Sequence, residues 1–193
     1  MSCRKQPALR TFGAGTVSHD ADLDTRAPVT VRIGGLDAPS LLHSLNRFGA
    51  RLNRAASILF QHPHFTTLER PHVVDIAYRS VAALGFSEGA TYRQIVGRAL
   101  EAGLTECPLE LGPHLRMQFP DQLEVPATAT SGRAPPGSIT IASCPLDDAE
   151  PTPKGFYLRS LGGVSWLRGY WSPHDHVWAA TDVLVFSRAI VAI

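Results

Sequence analysis

Apolar and polar positions alternate from Val29 to Ile33, with Val29, Val31 and Ile33 on one side and Thr30 and Arg32 on the other. That period predicts a short strand, which Gly34-Gly35 ends. The period then becomes helical. Asp37 suits an N-cap, Pro39 the first turn, and Leu41, Leu42, Leu45 and Phe48 recur on one face until Gly49 supplies the C-cap. A second helix from about Asn53 carries Ala56, Leu59 and Phe60 and stops at Pro63, so the two predict a small helical hairpin.

The β-branched run from His72 to Val81 predicts a strand. Thr91 with Gln94 has the form of a capping box, ahead of a helix whose apolar face is Ile95, Val96, Ala99 and Leu100 and which Gly103 ends. Pro108 opens a last helix through about Phe119, with Leu111, Leu115 and Phe119 four apart. Pro113 weakens it, because a helix-interior proline costs about 3 kcal/mol unless the helix starts there.

Residues 120–137 hold four prolines and predict a long loop. Beyond it SITIAS, GFYLRS, VSWLRGY and VLVFSRA predict four strands, with a tight hairpin at Leu161-Gly162-Gly163. Phe156, Trp166, Trp178 and Phe186 would give that sheet one aromatic face, which the preceding helices must cover. The predicted fold class is therefore α+β: an N-terminal helical hairpin and further helices packed on a C-terminal antiparallel sheet of about four strands. Residues 1–28 read as a mobile tail, 29–119 as a mostly helical part and 138–190 as the antiparallel β part, with 29–190 forming one compact unit.

Composition narrows the class without naming a partner. The 193 residues carry 18 Lys and Arg against 17 Asp and Glu, a net charge of +1, so no overall field selects nucleic acid, a membrane or an acidic substrate. Hydrophobic residues at 44% exclude a wholly disordered chain, and no apolar run approaches the roughly 18 residues of a membrane span. Cys3, Cys107 and Cys144 lack metal-ligand or CxxC spacing, and no long apolar run follows Arg4, Lys5 and Arg10, so a reduced, cytoplasmic setting is expected.

The pieces Gly89-Ala90-Thr91, Glu106-Cys107-Pro108, Glu110-Leu111-Gly112-Pro113 and Leu115-Arg116 form a GAT…ECPxELGPxLRxQ series, followed by GFYL at 155–158, Trp166-Leu167 and Val185-Phe186. Together with FQHPHF at 60–65, this series resembles a group of uncharacterised bacterial proteins over residues 38–188. The resemblance implies no activity, cofactor or catalytic residue. The proline-rich insert at 120–137 is longer than the pattern of that group. An ATP-driven motor is excluded, since Lys5 and Lys154 are the only lysines and neither lies in a GxxxxGK[ST] loop.

Three groups of residues carry candidate chemistry. Cys107, set before a helix N-terminus that would favour its thiolate, has Glu106, His114 and Arg116 nearby in sequence and predicts a Cys-dependent hydrolase or transferase. At that spacing His114 is too far along the helix to serve as the base directly, and a small buried cysteine beside a structural Glu110 and an ion-paired Arg116 is the blander alternative. His62-x-His64 and His174-Asp175-His176 are weak zinc candidates, for want of a third ligand at fixed spacing, so no metal and no cofactor are expected.

Arg47, Arg51 and Arg54, with His43, fall along one predicted helix face, and Arg159, Arg168, Tyr170 and Trp171 add a basic, aromatic strand region. A solvated helix face accounts equally for the first group. The leading expectation is a small interaction or regulatory module that docks a protein or nucleic-acid partner through Arg47, Arg51, Arg54, Tyr170 and Trp171. A Cys107 enzyme stands second and a metal-binding regulator third.

Overall fold

A computed structural model of the chain describes residues 29–119, 122, 134–135, 137–149 and 151–188. The tail expected over 1–28 and most of the loop expected over 120–137 lie outside these residues. Four helices, α1 (Ala38–Phe48), α2 (Arg54–Gln61), α3 (Tyr92–Glu101) and α4 (Leu111–Gln118), are interleaved with strands. The strands are β1 (Val29–Ile33), β2 (Arg51–Leu52), β3 (His72–Ser80), β4 (Ala90–Thr91), β5 (Leu104–Thr105), β6 (Ile139–Ile141), β7 (Gly155–Leu161), β8 (Val164–Tyr170), β9 (Val177–Trp178) and β10 (Val183–Arg188). No helix among the described residues is long and apolar enough to cross a membrane.

Local signals place most of these elements. Asp37 accepts from the Ser40 amide at 2.9 Å to cap α1, and Gly49 ends it with a left-handed φ of 84°. The Thr91 amide donates to Gln94 Oε1 at 2.9 Å at the start of α3. Helix α4 begins at Leu111, three residues later than the sequence predicts. Pro113 is thereby its third residue, where a missing N–H breaks no helical bond.

The expected four-stranded antiparallel sheet is not what forms. Eight strands make one mixed sheet in the order β1-β3-β10-β6-β7-β8-β2, with β5 also paired to β10. The β6–β10 and β2–β8 pairs are parallel and the others antiparallel. Strands from the stretch expected to be mostly helical thus supply half of the sheet. The reason lies in β10, buried without interruption from Val183 to Ser187. A continuous buried run marks a strand covered on both faces and paired on both edges.

The helical hairpin is likewise broken. Between α1 and α2 the chain extends as β2 and joins the sheet edge, Arg51 opposite Trp166 and Leu52 opposite Leu167. At the other edge Gln118 imitates a strand: its Oε1 accepts from Arg32 N at 3.0 Å and its Nε2 donates to Arg32 O at 2.7 Å.

Two cores follow from the two covered faces. On the first face α1, α2 and α4 pack through Leu41, Leu45, Leu59, Leu111 and Leu115 against Phe156, Leu158, Leu167 and Val185. On the second, Ile95 and Ala99 of α3 and Trp178 of β9 pack against Tyr157, Tyr170, Leu184 and Phe186. Phe156 and Phe186 therefore lie in different cores, and the single aromatic face expected from sequence does not exist.

Candidate functional site

Strand β8 organises the chemistry of the second face. Leu167 is buried in the first core and Gly169 lies against α2, where an added Cβ would stand 2.7 Å from the Ala55 carbonyl carbon and the Ala56 nitrogen. By strand alternation Trp166, Arg168 and Tyr170 take the opposite side. Cross-strand neighbours share a face, so Arg51 and Arg159 flank Trp166 while Tyr157 neighbours Arg168.

The contacts form an unbroken series. The Arg168 guanidinium carbon lies 5.3 Å from the centre of the Trp166 ring and 6.0 Å from that of Tyr157, distances at which a cation is attracted to an aromatic face. Tyr157 and Tyr170 are 6.5 Å apart, Tyr170 and Trp178 meet edge to face at 5.5 Å, and Tyr92 lies 6.4 Å beyond Trp178. Arg168 pairs with no carboxylate among the described residues.

Charge is segregated in a way the net value conceals. Residues 38–68, which run through α1, β2 and α2, hold no Asp or Glu, and neither do residues 152–174, which contain β7 and β8. These two stretches carry Arg47, Arg51, Arg54, Lys154, Arg159 and Arg168, and the β2–β8 and β7–β8 pairings set Arg51, Arg159 and Arg168 close together.

At the Tyr170 end of this series lies a cavity of about 610 Å³ whose wall includes Tyr92, Glu106, Ser143, Lys154, Tyr170 and Trp178. Tyr92 Oη lies 2.8 Å from Glu106 Oε1 and 3.1 Å from the Ser143 carbonyl, both acceptors for its one proton. Burial keeps the Tyr92 and Tyr170 phenols protonated far above their ordinary range. Lys154 donates from Nζ to the carbonyls of Ala149 at 2.8 Å and Asp147 at 3.2 Å, tying the segment before β7 to one wall. Two buried polar atoms, Ser143 Oγ and Trp178 Nε1, have no hydrogen-bond partner among the described residues.

The structure distributes the sequence candidates unequally. Glu106, Tyr170 and His174 meet at the cavity. Tyr170 is buried, against the expectation of an exposed Tyr170-Trp171 pair. Gly155, its cross-strand partner, makes this possible: a Cβ there would stand 3.0 Å from Tyr170 Oη. Trp171 is half-buried and its indole N–H donates to the Pro151 carbonyl at 3.3 Å.

Arg47, Arg51 and Arg54 are all exposed but occupy three elements, α1, β2 and the first turn of α2, so the single helix face expected for them is absent. His43 is also exposed on α1.

The Cys107 group serves packing. Its thiol, 4% exposed, donates to the Val185 carbonyl at 3.5 Å, and burial pushes its pKa well up from 9.0, which suppresses the thiolate a nucleophile needs. His114 Nε2 accepts from Gly34 N at 3.2 Å and Glu110 Oε1 from Leu68 N at 2.9 Å, so both fasten loops to α4. Arg116 is wholly buried and reaches Gln122 Oε1 at 2.9 Å and the Phe119 carbonyl at 2.6 Å.

The histidine pairs are separate. His62 Nε2 lies 3.0 Å from Asp147 Oδ2 and the His62 and His64 rings are 5.2 Å apart, whereas His176 packs on Trp178 at 5.4 Å. No group of three His, Cys, Asp or Glu side chains able to hold a metal converges among the described residues.

Tyr92, Ser143 and Trp178 are cavity residues that sequence reasoning missed. They come from three separate segments and no spacing links them. Comparison with protein-family models, curated proteins and solved structures finds no match.

Proposed function

We propose that this protein is a docking module that holds a single-stranded nucleic-acid segment along β8. The observation that carries the reading is the placement of Arg168 between the Trp166 and Tyr157 rings, with Arg51 on the neighbouring strand and no acidic residue in either stretch. Trp166 is only half-buried, which leaves part of its ring open for a base to stack on. Exposed Arg51, opposite Trp166 in the β2–β8 register, is placed to neutralise a phosphate there, while exposed Arg47 and Arg54 on α1 and α2, which cover the other face, add to the positive field that draws the strand in. The buried Cys107 thiol gives a Cys-dependent enzyme less support.

The test is fluorescence anisotropy with labelled single strands of roughly 12 nucleotides, a length matching a single small-domain groove. Replacing Arg47, Arg51 and Arg54 together by Ala should weaken binding at least tenfold. It should also lower the slope of log K against log salt by about 0.7, the share of the one phosphate contact that Arg51 makes in a single strand. Absence of binding at low salt, or a triple variant with the parent's affinity, removes the reading. Tight binding of an acidic peptide with no binding of the strand replaces nucleic acid by a protein partner.

A further inference from the structure

We infer that the cavity beside β8 is a binding site for one nucleobase, a flat heteroaromatic ring that both accepts and donates hydrogen bonds. Two orphaned polar atoms point to a ligand. Trp178, 2% exposed, holds its Nε1–H without an acceptor, and Ser143, 1% exposed, holds its hydroxyl without a partner. A buried polar group left unpaired costs about 1–3 kcal/mol, so such groups on a cavity wall call for a polar occupant. Because the indole N–H is a donor only, that occupant must present an acceptor.

The opposite requirement comes from Glu106. Its Oε1 takes the Tyr92 phenol at 2.8 Å, while Oε2 bonds to no described residue and is open to a donor. An occupant that accepts from Trp178 and gives to Glu106 must carry both kinds of group, as the Watson–Crick edges of the bases do. Aromatic residues Tyr92, Tyr170 and Trp178 supply the apolar remainder of the wall, which suits a flat ring. The volume of about 610 Å³ lies in the usual range for small-ligand sites.

Other classes fit less well. An aromatic carboxylate would bring its negative charge against Glu106 and Asp148, which share the cavity. A hydrocarbon would leave both orphans unpaired. Arg93 and Lys154, also on the wall, allow the base to carry a phosphate but do not require one.

The inference rests on the cavity alone, and the β8 docking face can fail without it. The bound base has two sources, a free nucleoside or one residue of the docked strand. Isothermal titration calorimetry of the full chain with adenosine, guanosine, cytidine and uridine tests the common chemistry. At least one should bind saturably below about 10 mM, the weakest affinity compatible with two or three net hydrogen bonds and a buried ring.

Trp178→Phe, which keeps a ring and removes the N–H, should weaken that binding about tenfold. Should this variant fail to fold, Glu106→Gln takes its place with the same expected loss. The Arg47, Arg51 and Arg54 triple variant should bind the nucleoside like the parent. If adding the roughly 12-nucleotide strand releases the bound nucleoside, the cavity takes a base of the strand; if the nucleoside stays bound, the cavity serves a free ligand. No saturable binding of any of the four nucleosides, or unchanged affinity in both Trp178→Phe and Glu106→Gln, overturns the inference.

Discussion

The side chain of Asn53 pairs with both backbone groups of Gly169: its Nδ2 donates to the Gly169 carbonyl at 2.9 Å and its Oδ1 accepts from the Gly169 amide at 2.8 Å. The same Oδ1 accepts from Ala56 N at 2.9 Å and so caps α2. One amide thus prolongs the two-residue strand β2 along β8 and starts the next helix, which holds β2, α2 and β8 in fixed register. Truncating it removes a cap, worth about 0.5–2 kcal/mol, and leaves buried Gly169 without partners at about 1–3 kcal/mol.

Asn53→Ala is therefore expected to destabilise the protein by about 2–4 kcal/mol, read from urea unfolding. Asn53→Asp keeps the cap acceptor but sets a carboxylate against the Gly169 carbonyl, and should recover less than half of that loss. Equal stability of Asn53→Asp and the parent would show that the Nδ2 donation to the Gly169 carbonyl adds nothing to the bonds Oδ1 accepts.

Cys107 and Tyr170 make stability sensitive to alkali. Burial raises both pKa values in the fold, from 9.0 for the thiol and 10.0 for the phenol. The folded chain then holds protons that the unfolded chain releases. Their contribution is complete below about pH 9 and is lost as pH rises through the unfolded pKa values toward the folded ones. Melting temperature should fall from pH 9 upward, and less steeply at first in Cys107→Ala. Under native conditions iodoacetamide should modify exposed Cys144 and spare Cys107, as followed by peptide mass spectrometry. Rapid native labelling of Cys107 would restore the enzyme reading.

Asp147 works in the opposite direction. The Thr152 hydroxyl, which donates to Asp147 Oδ2 at 3.0 Å, is the main cause of a pKa held below 3.8, with a smaller part from His62 at the same oxygen. That stabilisation is present above pH 3.8 and is lost as pH falls through the lower folded value. Asp147→Asn should accordingly melt below the parent at neutral pH, and the gap should close progressively as the solution is acidified below pH 3.8. A gap of constant size across that range would assign the effect to shape and not to charge.

Much of the local structure was legible because its causes are local. Asp37 with Gly49, Thr91 with Gln94, the β-branched run into Ser80 and the turn at Gly162-Gly163 each act within a few residues. What escaped depends on distant partners. Strand β2 has no pattern of its own in two residues and exists because β8 lies beside it. Strand β10 looks like any short apolar strand until β3 and β6 are seen on its two edges.

The site shows the same division. Arg51, Arg168 and Tyr170 were recognisable as residue types, but their assembly on one face required the β2–β8–β7 register. The burial of Tyr170 is not legible in the sequence because nothing near it in the chain shows the room that Gly155 leaves for its ring. Trp178 gave no sign of facing a cavity, since its environment comes from Tyr92, Tyr170 and His176 on other segments.

The position of β10 has a consequence for synthesis. Although it follows every other described strand in chain order, it lies between β3 and β6 and divides the sheet into two parts that touch through it. While the ribosome is still short of residue 183, β1 and β3 expose an unfilled edge on one side and β6, β7 and β8 on the other. The nascent chain must carry both open edges in solution, where each is a template for pairing with another molecule. Vectorial folding from the N-terminus cannot complete the sheet, and a chain interrupted before Val183 is a substrate for chaperones or for aggregation.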